Sequence, residues 1–306
     1  MAEPLKNSFG PDVAVWIADL IEAVLPDFER EAFLQMALDG YDELELTPRA
    51  RHISKALARF LPADRDQAIR ILIDSLGSEI ESNELTGMES FRFLPFVFFV
   101  ADEGLDCFET SMRAQYELTK RFTAEFSIRA FIDRDPDETL ARLTQWASDP
   151  NVHVRRLVSE GTRPRLPWAP RLRGFQKDPS PVLKLLERLR DDPEEYVRRS
   201  VANNLNDISK DHPEIVVEVA GRWWVDGSRN RRRLVRHALR TLVKAGNAQA
   251  LAVLGYVSDT PITIRTVTCT PATVEIGEKM RIEVNLENPS DDEAGALVDL
   301  IVHFVK

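Results

Sequence analysis

A carboxylate placed between arginines at the end of a predicted helix is the most unusual chemical feature of this sequence. Residues 154–168 read VRRLVSEGTRPRLPW, so Glu160 comes directly before Gly161, which is expected to end the helix. The partial negative charge of a helix C-terminus disfavours a carboxylate there. Because sequences often break such local rules at functional sites, Glu160 is a candidate for stabilising positive charge during a reaction. The alternative is a surface carboxylate paired with Arg156 or Arg163.

A second candidate carboxylate, Glu125, lies in an aromatic neighbourhood with Phe122, Phe126 and Phe131. These neighbours predict partial burial, which is costly for a carboxylate that has neither a partner nor a function. The alternative is an ordinary helix pair, because Arg129 follows Glu125 at the i+4 position.

A third candidate, Asp207, ends the segment VANNLND at residues 201–207. Asparagine and aspartate are poor helix formers, so this cluster within a predicted helix needs a reason. One reason is capping or hydrogen bonding between neighbouring helices. The other is that Asp207 joins Glu160 in one site.

A tryptophan follows these charged residues in a loop that contains several prolines. Trp168 comes after Pro164 and Pro167 and before Pro170, so the loop is stiff enough to hold an indole in place. The face of a tryptophan attracts a cation by about 0.5–2 kcal/mol. The alternative is a core anchor beneath the loop.

Basic residues are concentrated in the middle third of an otherwise acidic protein. The formal net charge is −10, yet residues 121–260 hold 25 Lys and Arg against 19 Asp and Glu, and 21 of these cations are arginine. Arginine suits bidentate recognition of phosphate, so this distribution favours a polyanion bound on one face. The alternative is a set of solvated helix faces with salt bridges. The candidate phosphate contacts are Arg163, Arg165, Arg171, Arg198, Arg199, Arg231, Arg232 and Arg233.

The elements that position these side chains are predicted to be helices throughout residues 1–259. Gly40 and Gly77 are expected to mark two helix ends. Apolar residues recur with a helical period in the segments 11–25, 28–38, 48–61 and 64–76.

An internal repeat indicates how the helices are arranged. DPNVHVRRLV at residues 149–158 matches DPEEYVRRSV at 192–201, an offset of 43 residues, and RNRRRLV at 229–235 is a weaker third copy. Helical units that recur at about 40 residues are the signature of HEAT-like solenoids, which have a concave surface. The repeated arginines are then expected to align as a ladder. The alternative is that they pair with Asp149 and Asp192 between repeats.

At residue 260 the pattern changes from helical to alternating. The strand-like segments are 262–264, 274–276, 280–286 and 297–305. They resemble part of an immunoglobulin-like sandwich, which needs about 100 residues and seven strands. We therefore expect a mostly α protein in two domains, a HEAT-like helical-repeat solenoid at 1–259 and an incomplete β module at 260–306.

Several classes of protein are not indicated. No leader pattern opens the chain, and the longest apolar run, residues 93–101, is too short to span a bilayer. The five histidines are scattered, so no metal is expected, and no cofactor-binding motif is present. Cys107 and Cys269 are far apart and predict free thiols in a reducing cytoplasm. The chain is expected to be a cytoplasmic monomer that binds no membrane.

Long segments of the chain resemble one known family. They are FTAEFSIR at 122–129, RRLVSEGTRPRLPW at 155–168 and RRSVANNLND at 198–207, and LKNSF at 5–9 and RARHI at 49–53 fit the same pattern. With them, the chain resembles the bacterial alkylpurine DNA glycosylases built on HEAT-like repeats, and more closely their AlkC branch. A C-terminal immunoglobulin-like module is typical of that branch, although the module here is short.

The resemblance implies a DNA repair enzyme that excises cationic alkylated bases, chiefly 3-methyladenine, from double-stranded DNA without flipping the base into a pocket. It implies that Glu125, Glu160 and Asp207 are the catalytic carboxylates and that Trp168 contacts the lesion nucleotide. Glycosidic cleavage passes through an oxocarbenium-like transition state, which carboxylates stabilise. The alternative is a non-enzymatic HEAT-like scaffold that binds nucleic acid or a partner protein, which leaves Glu160 and the Trp168 loop without a role.

Overall fold

The structure is a computed structural model that describes residues 5–79, 89–256 and 262–291, together with residues 295, 296, 298, 300 and 303. The described part is mostly helical, as the sequence predicts. Its α-helices are α1 (Asp12–Val24), α2 (Arg30–Leu38), α3 (Leu46–Phe60), α4 (Arg65–Ser75), α5 (Leu94–Glu103), α6 (Phe108–Thr119), α7 (Ile128–Arg134), α8 (Pro136–Trp146), α9 (Val152–Gly161), α10 (Arg173–Lys177), α11 (Ser180–Leu189), α12 (Glu195–Ile208), α13 (Pro213–Trp224), α14 (Arg229–Ala238), α15 (Arg240–Lys244) and α16 (Ala248–Val253). Short 3₁₀ helices occur at Leu5–Ser8, Tyr41–Glu43 and Glu89–Phe93.

The helices predicted from apolar periodicity near the N-terminus are present as α1 to α4. Helix α1 buries the predicted apolar face through Val13, Ile17 and Ile21. Gly40 and Gly77 follow α2 and α4 with φ angles of 63° and 68°, a left-handed conformation that suits glycine after a helix. Local sequence therefore suffices to place these helices and to end two of them.

Helix α5 carries apolar side chains on all of its faces. Every residue from Leu94 to Ala101 is buried, and α5 packs against α3, α6 and α7. Burial of a Phe side chain contributes roughly 1.5–3 kcal/mol, so Phe96, Phe98 and Phe99 anchor this part of the core. Among the described residues, no helix is both long and apolar enough to cross a membrane.

The sequence repeat corresponds to a repeated local structure in α9 and α12, which pack against each other. Arg155 Nη1 donates to the carbonyls of Asp149 and Pro150, and Arg198 Nη1 donates to those of Asp192 and Pro193. The first arginine of each Val-Arg-Arg motif therefore holds the turn before its own helix. The HEAT-like solenoid stays a prediction that this repetition supports.

An ion pair also joins the two copies of the repeat. Arg155 Nε and Nη2 contact Asp192 Oδ2 and Oδ1 at 2.6 and 3.1 Å, a bidentate arrangement across 37 residues of sequence. For Arg155, the alternative of pairing between repeats is thus confirmed. This pair is nearly buried, and it lies outside the cavities described below.

Gly161 ends α9 as the sequence predicts, but for a different physical reason. Its φ is not in the left-handed region that glycine caps usually adopt. A Cβ at this position would come within 2.6 Å of Ile128 Cγ2 at the start of α7. The glycine is therefore required by the close approach of α7, which brings Glu125 towards α9.

The described β module is a single hairpin. Strand β1 (Thr263–Thr270) pairs antiparallel with β2 (Arg281–Glu287). The predicted strand at 274–276 is wrong, because Pro271 and Gly277 leave too few residues between them and the segment forms the connection between β1 and β2. The predicted strand at 297–305 lies mostly outside the described residues, as does the predicted domain boundary at residue 260. The immunoglobulin-like assignment and the two-domain division stay predictions.

Gly161→Ala is expected to lower the free energy of unfolding by about 1–3 kcal/mol, because the added methyl group overpacks the contact with Ile128. Urea unfolding at constant pH measures this change. Gly174→Ala in α10 is the matched control, because its Cβ meets no atom within 4 Å, and we expect it to be neutral or slightly stabilising. Equal destabilisation by both substitutions would contradict the close-approach explanation.

Candidate active site

An alternating chain of opposite charges connects the three predicted carboxylates. In order of contact it comprises Glu125, Arg156, Glu160, Arg163, Asp207 and Lys210. The nitrogen–oxygen distances along it are 2.6, 3.6, 2.6, 2.8 and 3.0 Å. We call these six residues the ionic chain. Glu160 pairs with both Arg156 and Arg163, as the alternative expected, but it is buried and is not the surface carboxylate of that alternative.

Three neighbouring elements supply the ionic chain. Glu125 lies just before α7, where the Thr123 hydroxyl accepts the Glu125 backbone N–H at 3.2 Å. Arg156 and Glu160 are one turn apart on α9, and Asp207 is in the last turn of α12. Because α9 and α12 pack side by side, carboxylates that are more than 40 residues apart meet through one arginine, Arg163.

Glu160 is a buried carboxylate with both oxygens occupied. Arg163 Nη1 donates to its Oε1 and the Ser200 hydroxyl donates to its Oε2, each at 2.6 Å. Burial alone would raise the pKa of Glu160, but Arg156 and Arg163 bring that pKa below its ordinary value. Glu160 is therefore ionised at neutral pH even at the C-terminal end of α9.

Glu125 is the carboxylate with an open oxygen. Its Oε2 accepts from Arg156 at 2.6 Å and from the Thr123 hydroxyl, whereas no donor of the described residues reaches Oε1. Burial opposes the charge of Arg156, but Glu125 and Glu160 raise the pKa of its guanidinium above the ordinary value. The expected helix pair of Glu125 with Arg129 is wrong, because Arg129 donates to backbone carbonyls instead.

Asp207 is buried behind Arg163. It is 2% exposed, and its two oxygens accept from Arg163 Nε at 2.8 Å and Lys210 Nζ at 3.0 Å. The asparagines beside it bond between helices, since Asn204 Nδ2 donates to the Ser159 carbonyl and Asn206 Nδ2 donates to that of Ala238. The structural alternative for these asparagines is thus confirmed, and Asp207 reaches the other carboxylates only through Arg163.

A cavity of about 330 Å³ lies beside the ionic chain. Its charged lining residues are Glu125, Arg156, Glu160 and Arg163. Its aromatic lining residues are Phe91, Phe122, Phe126, Trp168 and Tyr196. The structure thus brings Glu125, Glu160 and Trp168 to one cavity and leaves Asp207 outside its lining. We call this space the acidic cavity.

Trp168 differs from the other tryptophans in its exposure. Its side chain is 66% exposed, whereas Trp146 and Trp223 are buried in the core. Its φ of 63° is left-handed, a conformation that is uncommon for a bulky residue. The expectation of a stiff loop that presents an indole therefore agrees with its position at the rim of the acidic cavity.

The arginines predicted to contact phosphate differ in their partners and in their exposure. Arg163 bridges Glu160 and Asp207, and Arg198 is 9% exposed with its guanidinium on backbone carbonyls. These contacts do not favour a phosphate contact at Arg163 and Arg198, because each already satisfies a buried partner, and the two phosphate contacts stay predictions. Arg165 pairs with Asp211, Arg231 pairs with Asp191, and Arg233 pairs with Glu195. The arginines whose side chains are exposed are Arg171, Arg199, Arg232 and Arg233.

A second cavity, of about 480 Å³, lies on the other side of α12. Its cationic lining residues include Arg199, Arg233, Arg236 and Arg240, and Glu195 is the carboxylate among the described lining residues. Burial, together with the neighbouring arginines, lowers the pKa of His237, which also lines it. We call this space the arginine cavity, and its excess positive charge suits an anion.

Sequence reasoning missed several residues of the acidic cavity. Arg156 is the second arginine of its Val-Arg-Arg motif, and Arg199 is its equivalent in the next copy. Both line a cavity, and the first arginine of each motif bonds the carbonyls of the turn before its own helix. Because Arg198 also lines the arginine cavity, the position within the motif is only a partial signal. Ser200 and Tyr196 carried no such signal. Among the described residues, no group of three or more His, Cys, Asp or Glu could hold a metal ion.

Comparisons with known proteins define the class to which this site belongs. Residues 118–242 match a family model described as DNA alkylation repair enzyme. The chain is 36% identical over 304 residues to the uncharacterised protein YhaZ of Bacillus subtilis (strain 168). The aligned region covers 99% of this chain and 82% of YhaZ. A structure of the Pseudomonas fluorescens alkylpurine DNA glycosylase AlkC, bound to DNA containing an abasic-site analogue, matches with 37% identity and a TM-score of 0.84 over 94% of this chain and 78% of that one. The chain therefore belongs to the AlkC branch of the DNA alkylation repair family.

Glu160→Gln is expected to destabilise the fold in a pH-dependent way. Because its pKa is lowered in the folded protein, Glu160 contributes fully to the free energy of unfolding above its unfolded-state pKa of about 4.3. This contribution is lost as the pH falls through the lower folded-state pKa. We expect the substitution to cost about 1.5–3 kcal/mol at neutral pH, and this cost to shrink in acid.

Urea unfolding of wild type and Glu160→Gln from about pH 7 to about pH 3 measures that difference. Glu218→Gln is the control, because Glu218 is exposed on α13, and we expect its small effect not to change with pH. A Glu160→Gln cost that stays constant down to the lowest pH contradicts the stabilising charge.

Proposed function

We propose that this chain is a monofunctional DNA N-glycosylase that excises cationic alkylated bases, chiefly 3-methyladenine, from double-stranded DNA. The observation that carries the proposal is the acidic cavity, in which Glu125, Glu160 and Trp168 meet. Its volume of about 330 Å³ falls within the range of small-molecule sites, about 300–1,000 Å³. The DNA-bound AlkC glycosylase to which this chain is similar supports the same substrate class.

The proposed reaction needs electrostatic help more than proton transfer. An alkylated purine that is already cationic leaves as a neutral base when its bond to deoxyribose breaks, so positive charge develops on the sugar. A fixed carboxylate stabilises that charge because it is oriented before the reaction begins. This chemistry uses neither a metal nor a cofactor.

Glu125 is the carboxylate that we expect to contact the sugar or the attacking water. Its Oε1 is open, whereas both oxygens of Glu160 and of Asp207 already accept hydrogen bonds. Glu160 then adds negative potential from the cavity wall. We propose that Asp207 acts by holding Arg163, which in turn orients Glu160.

Trp168 and the neighbouring aromatic rings form the surface for the lesion nucleotide. The exposed indole can contact a cationic base or the developing cationic sugar, an interaction of about 0.5–2 kcal/mol. Because Trp168 is 66% exposed, the acidic cavity opens at the protein surface beside it. This openness supports excision without flipping the base into a closed pocket.

The arginine cavity is the part of the molecule that we expect to hold the DNA backbone. It lies one helix away from the acidic cavity, so one DNA strand could contact both sides of α12. Phosphate contacts position a protein on DNA without reading sequence. We further propose that a HEAT-like solenoid at 1–259 carries both cavities, that the β module at 260–306 contacts the duplex from another side, and that the protein acts as a monomer in the bacterial cytoplasm.

Arg233→Ala and Arg236→Ala are each expected to weaken DNA binding and to reduce its dependence on salt. Each lost phosphate contact lowers the slope of log affinity against log salt concentration by about 0.9. Fluorescence anisotropy with labelled duplex at several salt concentrations measures both quantities. Arg70→Ala, an exposed arginine on α4 outside either cavity, is the matched control and should leave the slope unchanged. An unchanged slope in both test variants rejects the arginine cavity as a backbone site.

Glu125→Gln and Glu160→Gln are expected to slow base release by about 10²- to 10³-fold, since each removes fixed charge from the reacting centre. Single-turnover release of free 3-methyladenine from methylated duplex DNA measures the rate. Asp192→Asn is the control for lost stability, because it removes the charge of a buried carboxylate that pairs with Arg155 outside the acidic cavity. Its rate of base release should stay near that of wild type. Wild-type protein that binds DNA but releases no base would instead favour the scaffold alternative.

A further inference from the structure

Arg129 is a buried cation that no step of the proposed reaction uses. It lies in α7, is 3% exposed, and among the described residues has no carboxylate within ion-pairing distance. Burial lowers the pKa of Arg129 to about 10, which still leaves it charged at neutral pH. A buried charge without an ion pair is costly unless hydrogen bonds satisfy it, so its contacts need a reason.

Among the described residues, the side-chain hydrogen bonds of Arg129 go to the two ends of the loop that carries Trp168 and to the adjacent end of α9. Nη1 donates to the carbonyls of Gly161 and Arg163 at 3.2 and 2.7 Å, and both Nε and Nη2 donate to that of Pro170, with Nε at 3.0 Å. These carbonyls lie where the chain leaves α9 and where it returns after Trp168. The planar guanidinium presents five N–H donors in a fixed fork, so it can reach three separated carbonyls at once.

The backbone of Trp168 requires such a constraint. A non-glycine residue with a left-handed backbone stores about 1–3 kcal/mol of strain and persists only where its surroundings determine it. Near the indole, Leu166 and Leu172 are buried and anchor the loop, but Trp168 itself is mostly exposed. Contacts at the two ends of the loop must therefore fix its backbone, and the hydrogen bonds of Arg129 are made there.

We infer that Arg129 is a positioning residue, which holds the ends of the loop at 162–171 so that Trp168 keeps a single, strained orientation at the acidic cavity. The inference rests on the proposed function in one respect, that Trp168 contacts the lesion nucleotide. Arg129 itself touches neither the base nor the sugar in this account. Its effect on excision is transmitted through Trp168.

Fluorine NMR of protein labelled with 5-fluorotryptophan tests the positioning role without DNA. Trp168→Phe assigns the Trp168 resonance among those of the five tryptophans. We expect one narrow Trp168 resonance in wild type, and a split or broadened one in Arg129→Met, with the other four unchanged. A Trp168 resonance of unchanged position and width in Arg129→Met overturns the inference.

Arg49→Met is the matched control for that experiment. Arg49 is also a buried arginine, 7% exposed, and donates to the backbone carbonyls of Lys6, Phe9 and Leu44, which are remote from Trp168 in sequence. It should leave the Trp168 resonance unchanged. If Arg129→Met fails to fold, Arg129→Lys decides instead, because an ammonium keeps the charge but cannot span the three carbonyls; an unchanged Trp168 resonance there also overturns the inference.

A double-mutant cycle in base release then tests the link to catalysis. We expect Arg129→Met to slow single-turnover release of 3-methyladenine roughly 10- to 100-fold, as small misplacements in active sites do. Because Arg129 acts through Trp168, Arg129→Met should add little to Trp168→Ala, whereas multiplying effects would overturn the inference. If wild type releases no base, the proposed function fails, and the NMR result still decides whether Arg129 positions the loop.

Discussion

Neutralisation of buried carboxylates by arginine is the constraint on which this site depends. Glu160 and Asp207 are 6% and 2% exposed, and burial of a charged carboxylate at such positions is costly without a partner. Arg163 serves both, and because Arg163 belongs to the loop after α9, the same ion pairs fix the start of the Trp168 loop. The ion pairs of Arg156 and Arg163 therefore join the segment before α7, helix α9 and helix α12 beside the acidic cavity.

The Val-Arg-Arg repeat shows how one short motif can serve structure and chemistry together. Neighbouring positions on a helix point in different directions, so two consecutive arginines cannot do the same work. In both copies the first one bonds the carbonyls of the preceding Asp-Pro turn. The second, Arg156 or Arg199, lines a cavity. Arg198 lines the arginine cavity as well, so the expected ladder of arginines combines structural hydrogen bonds with cavity lining and does not divide cleanly between the two positions.

Sequence could predict the helices and the residues that gather at the acidic cavity, because periodicity and local rule-breaking are properties of short segments. The misplaced carboxylate before Gly161 was such a signal, and so were the aromatic residues around Glu125. Sequence could not predict the partners of most candidate phosphate contacts. Arg163 and Arg198 look like free cations until the fold brings Asp207 or the carbonyl of Asp192 to them. The strand expected at 274–276 failed for a related reason, since alternation over so few residues does not distinguish a strand from the connection between two strands.

The ionic chain contains three carboxylates and three cations, so its formal charge at neutral pH is zero. Such an arrangement exerts almost no pull on a positively charged purine at a distance, and at physiological ionic strength any residual field fades over about 8 Å. For the proposed glycosylase, damaged and intact duplexes would look alike during approach and sliding. Discrimination between damaged and intact DNA would start only when the duplex is bound and the open oxygen of Glu125 contacts the lesion nucleotide. The speed of scanning and the sensitivity to lesions would then be governed by separate parts of the molecule.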